Sequence, residues 1–148
     1  MRMAKHPITP LAAVAGGLLA GLVGTVCLDA VGYFRYRRSG GKKPPQEWEF
    51  APVDSWASPV SAAMHWGYGS FAAALYGILA GSVRDPYPVY GLPFGAAVWG
   101  AGYVILPEAG IYKPIWEYDA KTLATDLGGH LAYGPGTGIA FWLFAKLW

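Results

Sequence analysis

The charges in this chain are confined, and that confinement limits the fold more than any single motif. Leu11 to Leu28 contains no Asp, Glu, Lys or Arg. The same holds for Pro59 to Val83, Val89 to Pro107 and Leu127 to Ala145, where His65 and His130 are the basic residues present. A bilayer core needs about 20 mostly apolar residues per helix. Of 148 residues, 54% are hydrophobic and 14% charged, against a usual charged share of about 25%. A soluble bundle of buried helices would need more polar surface than this to cover it. The sequence therefore predicts an all-α, polytopic membrane protein whose single transmembrane domain occupies 1–148. Its four-transmembrane-helix bundle has spans at about 9–34, 59–83, 89–111 and 122–147, with a polar loop over 35–58.

The first span is read as a retained helix. Arg2 and Lys5 precede it, as in a signal peptide. Its apolar region is longer than the usual 7–15 residues, and Cys27-Leu28-Asp29-Ala30 is a poor cleavage site. The lone Cys27 can form no internal disulfide. A net charge of +2, held in the loops, does not point to nucleic acid. Arg35, Arg37, Arg38, Lys42, Lys43, Lys113 and Lys121 share one side, so the positive-inside rule puts the 35–58 loop in the cytoplasm and both termini outside. The basic N-terminus argues the other way. Pro86 and Pro88 set a tight turn after the second span, Pro107 is expected to bend or end the third, and Pro135 to kink the fourth. Small residues recur every four positions at Ala13/Gly17/Gly21, Gly77/Gly81, Ala96/Gly100 and Gly134/Gly138. Such stripes let helices approach closely in lipid.

His65-Trp66-Gly67-Tyr68-Gly69 and His130-Leu131-Ala132-Tyr133-Gly134 share the pattern His-x-x-Tyr-Gly. Extending that alignment sets Ser61 against Asp126 and Tyr76 against Phe141. Spans one and three align more weakly, through Gly17/Gly95, Gly24/Gly102 and Gly32/Gly110. Two pseudo-symmetric helical hairpins would follow, and chance similarity of Gly/Ala-rich helices is the competing reading.

Thr122, Asp126, His130, Tyr133 and Thr137 recur every three or four residues and form one polar stripe on a helix. By connectivity Asp29, His65, Tyr68, Glu108, Asp126, His130 and Tyr133 should lie at similar depth, as one intramembrane polar site. Three chemistries compete with a plain packing role. Carboxylates and histidines can pass protons or cations. His65, Asp126 and His130 could ligate a metal ion. His65 and His130 could hold a b-type haem. No cofactor is required by the residues themselves. The stripe has no nucleophile beside a histidine, and neither HExxH nor GxSxG occurs, so no enzymatic activity is expected.

His65 with its aromatic-rich helix and Tyr76, Gly91-Leu92-x-x-Gly95, Pro107-x-x-Gly110 and Gly129-His130 preceded by an acid resemble the YagU-like family of small, poorly characterised bacterial inner-membrane proteins. The resemblance covers about 59–148. The acid before the second histidine is Asp126 rather than Glu, and the long loop is shorter here. The resemblance implies a bacterial inner-membrane location and a role in acid tolerance, without an established mechanism. The expected partners are the lipid bilayer and either a second copy or a larger membrane complex. In the latter case the chain would be an accessory or assembly subunit, packing laterally through its glycine faces and a belt of Trp48, Trp56, Trp99, Trp116, Trp142 and Trp148.

Overall fold

The computed structural model describes residues 8–40, 59–83, 88–110 and 112–147. The described residues form four α-helices and no strand: α1 (Pro10–Arg38), α2 (Pro59–Gly81), α3 (Gly91–Glu108) and α4 (Ala120–Ala145). Short 3-10 turns at Pro88–Tyr90 and Ile115–Glu117 precede α3 and α4. The tight turn after α2 and the greater part of the polar loop, with Trp48 and Trp56, lie outside the described residues.

Local chemistry sets the helix ends. Thr9 Oγ1 accepts from the Ala12 N–H at 3.3 Å, and Pro10 follows at the first helical position, where its missing N–H is harmless. α1 runs past the expected boundary to Arg38, so Arg35, Arg37 and Arg38 are helical rather than part of the loop. Nothing breaks the helix before Ser39-Gly40, and three cations in its last turn favour the carbonyl end of the dipole. α3 ends one residue after Pro107, where Gly110 takes φ +70° and donates to the Pro107 carbonyl at 2.9 Å. The Asp119 side chain caps α4, which runs on through Pro135.

Helices pack in the order α2–α1–α4–α3. Glycine explains how closely. α1 turns Ala13, Gly17 and Gly21 to α2: a Cβ on Gly21 would lie 2.7 Å from Ser70 Cα, and one on Gly17 would overlap the Ala73 carbonyl. The neighbouring face, with Gly16 and Gly24, meets Phe144, Tyr133 and Thr137 of α4. α3 meets α4 through Gly91 and Gly95 against Gly134. The expected Ala96/Gly100 stripe is not used there, since a Cβ on Gly100 would meet nothing within 4 Å.

The hairpins do not repeat one another in register. The sequence alignment carries Ala73 onto Gly138, yet Gly17 packs on Ala73 while Gly95 packs on His130 and Gly134. That offset is about two helical turns. A twofold axis would also make α2–α3 as close as α1–α4. Instead α2 and α3 stand apart over most of their length and meet through Tyr76 and Phe94, with ring centroids 4.7 Å apart.

The interior is small and the exterior large. Ala12, Ala13, Ala20, Ala73, Ala80 and several glycines are buried, with Tyr76, Tyr103, Tyr133 and Phe141 as the bulky exceptions. Leu19, Phe71, Leu79 and Val104 are 57%, 67%, 70% and 67% exposed. Two segments, Pro10–Arg38 and Pro88–Glu108, are long and apolar enough to cross a membrane. Polar and small residues in α2 and α4, among them His65, Asp126 and His130, dilute their hydropathy.

Candidate functional site

The gap between α2 and α3 holds a cavity of about 80 Å³. Its sides come from Met64, His65, Tyr68 and Gly69 of α2 and Val98, Trp99, Gly102, Tyr103 and Leu106 of α3. Thr25 and Leu28 of α1, Asp126, His130 and Tyr133 of α4, and Tyr112 of the α3–α4 connection complete the lining. Toward α2's C-terminal half, Tyr76, Phe94 and Phe141 close the bundle with tilted and edge-on rings. Met64 and Tyr68 are 43% and 37% exposed, so the cavity reaches the surface.

Two histidine–carboxylate pairs meet this space. His65 Nε2 lies 2.8 Å from Asp29 Oδ1, joining α2 to α1. His130 Nδ1 lies 3.1 Å from the Asp126 carbonyl oxygen and 3.4 Å from Asp126 Oδ1, one turn earlier on α4. The other Asp126 oxygen accepts from Tyr103 Oη at 3.0 Å. Asp126 is 8% exposed, and Tyr103 7%. Thr122, Asp126, Tyr133 and Thr137 are buried, so the polar stripe faces inward. Tyr133 Oη donates to the Gly69 carbonyl at 2.5 Å.

At the loop end the rings of Tyr103, Tyr112 and Tyr118 lean on one another, with centroids 5.4–6.4 Å apart. Burial, and then the negative field of Asp126, push the Tyr112 phenol well above its ordinary range. Arg35 reaches across from α1 and donates to the Thr125 carbonyl of α4. This side chain, expected in a loop, pins the two helices together beside the site.

Six of the seven expected site residues come together, five lining the cavity with Tyr133 and Asp126 among them, and Asp29 held behind His65. Tyr68 sits at its mouth. Glu108 does not join them: it is exposed at the end of α3. At about 100° per residue it lies about 140° around the helix from Tyr103, away from the cavity face. The expected metal set of His65, Asp126 and His130 is not assembled either. Each histidine engages its own carboxylate-bearing neighbour, and among the described residues no three His, Cys, Asp or Glu side chains form a ligand group. A space of about 80 Å³ is too small for a haem macrocycle between the two imidazoles.

Sequence reasoning missed Thr25, Trp99, Tyr103 and Tyr112. Trp99 was expected in an outer belt, but it lines the cavity one turn before Tyr103, with ring centroids 5.3 Å apart. Its indole N–H is buried without a hydrogen-bond partner among the described residues. The spacing Trp99, Tyr103, Leu106 is the signal that could have marked a shared face.

The site thus belongs to a helical bundle with paired histidines and acids around an aromatic cavity. No protein-family model, curated protein or solved structure matches the chain.

Proposed function

We propose that this is a small multi-pass protein of the bacterial inner membrane, related to the YagU-like proteins, that moves protons or small cations through its acid–histidine cavity. All four helices span the bilayer in this reading. The inverted surface supports it: Leu19, Leu79, Phe71 and Val104 face out, while Ala20, Ala73, Thr25, Thr137 and the Asp126 carboxylate face in. In water such an exterior would be a large adhesive patch; in lipid it is the expected one.

The observation that carries the function is the convergence of two histidine–carboxylate pairs, Asp29–His65 and Asp126–His130, on one cavity. Ionisable groups inside a membrane are costly and tend to mark conduction routes. Histidine exchanges protons near neutral pH, and its neighbouring carboxylate can receive or return one. Tyr103, bonded to Asp126, extends the chain of exchangeable protons toward the loop end.

The test is proton flux into liposomes holding the purified protein, driven by a potassium diffusion potential and followed with an entrapped pH dye. Wild-type protein should acidify the lumen faster than empty liposomes. His65→Gln with His130→Gln should abolish the difference while the thermal transition persists. Flux that survives both substitutions, or its absence in the wild type, overturns the proposal.

A further inference from the structure

The cavity's lining names a class of ligand. Five large aromatic side chains, Tyr68, Trp99, Tyr103, Tyr112 and Tyr133, line the space with Asp126. The rings are mutually inclined, Trp99 to Tyr103 by 62° and Tyr103 to Tyr112 by 54°. Neither lysine nor arginine lines the space among the described residues. An aromatic face carries negative potential and attracts a cation, as does the acid beside these rings. An anion would meet the Asp126 carboxylate, and the basic residues of the lining, His65 and His130, are already engaged with Asp29 and Asp126. A neutral apolar molecule would leave a buried carboxylate beside it without gain.

Size narrows the class further. About 80 Å³, reached past Met64 and Tyr68, suits an ammonium group with few methyl substituents. Such a cation is large and weakly hydrated enough to leave water for ring faces, unlike a compact metal ion, which needs a set of oxygen or nitrogen ligands. We infer that the space bounded by Trp99, Tyr103 and Asp126 binds a small organic cation of the methylammonium type. This deepens the reading above, since it rests on the same cavity being the functional site.

Gly102 makes the inference testable without dismantling the site. It lines the cavity, and a Cβ there would meet Leu106 Cδ1 at 3.8 Å, an ordinary contact. Gly102→Leu should therefore fill the space while the bundle stands. The experiment follows the Trp99 indole N–H resonance of tryptophan-labelled full-length protein in micelles, assigned by its loss in Trp99→Phe. Methylammonium chloride should shift it saturably. Sodium chloride at equal ionic strength and ethanol, a neutral molecule of similar size, should not. Gly102→Leu and Asp126→Asn should each weaken binding more than tenfold, with the Gly102→Leu transition temperature unchanged or raised. A shift that does not saturate, an equal response to ethanol or salt, or unchanged binding by Gly102→Leu overturns the inference. Proton flux without methylammonium binding would remove this inference and keep the proton reading; binding without flux would do the reverse.

Discussion

Tyr133 and Gly69 are joined by a 2.5 Å hydrogen bond from the phenol to a helix carbonyl, linking α4 to α2, whose backbones otherwise scarcely meet. Tyr133 is 2% exposed, and its ring lies 5.8 Å from that of Phe94. The bond spans the floor of the cavity and fixes how far α2 stands from α4. Tyr133→Phe keeps the ring and removes the donor. The Gly69 carbonyl lies within a helix, so its loss of one partner should cost about 1 kcal/mol. Denaturation of the two proteins in matched micelles should show that difference. An unchanged stability would mean the bond contributes nothing.

The two glycines Gly134 and Gly100 should respond oppositely to alanine. A Cβ on Gly134 would overlap the Gly91 carbonyl and lie 2.8 Å from the Gly95 nitrogen, so α3 must retreat. Overpacking of that kind costs about 1–3 kcal/mol. At Gly100 a Cβ meets nothing within 4 Å. Alanine there should stabilise α3 by about 0.5–1 kcal/mol through helix propensity. Equal effects at both sites would refute the α3–α4 packing described above.

Asp119 ties the start of α4 to pH. Its side chain accepts from the Thr122 hydroxyl at 2.6 Å and the Thr122 N–H at 2.9 Å, and these bonds hold its carboxyl below the ordinary 3.8. A carboxyl lowered in the folded state adds stability above its unfolded pKa and loses it as pH falls through the folded one. The cap should therefore weaken below about pH 3.8 and remain intact above it. Asp119→Asn keeps an acceptor that does not titrate. Helical circular dichroism followed from pH 6 to about 2 should fall less steeply in that variant; parallel curves would remove Asp119 from the acid response.

Much of the site could be read from spacing, because a helix repeats its faces predictably. Asp126, His130, Tyr133 and Thr137 fall on one stripe whatever surrounds α4. Asp29 and His65 were polar in apolar helices, which marks them for an interior partner. Glu108 carried the same signal and went the other way, because its angle around α3 matters more than its depth. Trp99 and Tyr103 gave the converse error: an aromatic residue suits an outer belt, a core or a cavity equally well, and composition cannot choose among them.

The sequence by itself determined the helices and the small-residue faces of α1, α2 and α4. Charge-free runs, a Thr9 cap, an Asp119 cap and Gly110 after α3 act through neighbours a few residues away, so they are visible in the chain. Tertiary structure alone decided that α1 and α4 close together while α2 and α3 stand apart. Gly24 lets α1 approach Tyr133 and Thr137, whereas α2 and α3 meet at the bulky rings of Tyr76 and Phe94. That difference in side-chain size across helices far apart in sequence opens the cavity, and the cavity determines which polar residues share a site.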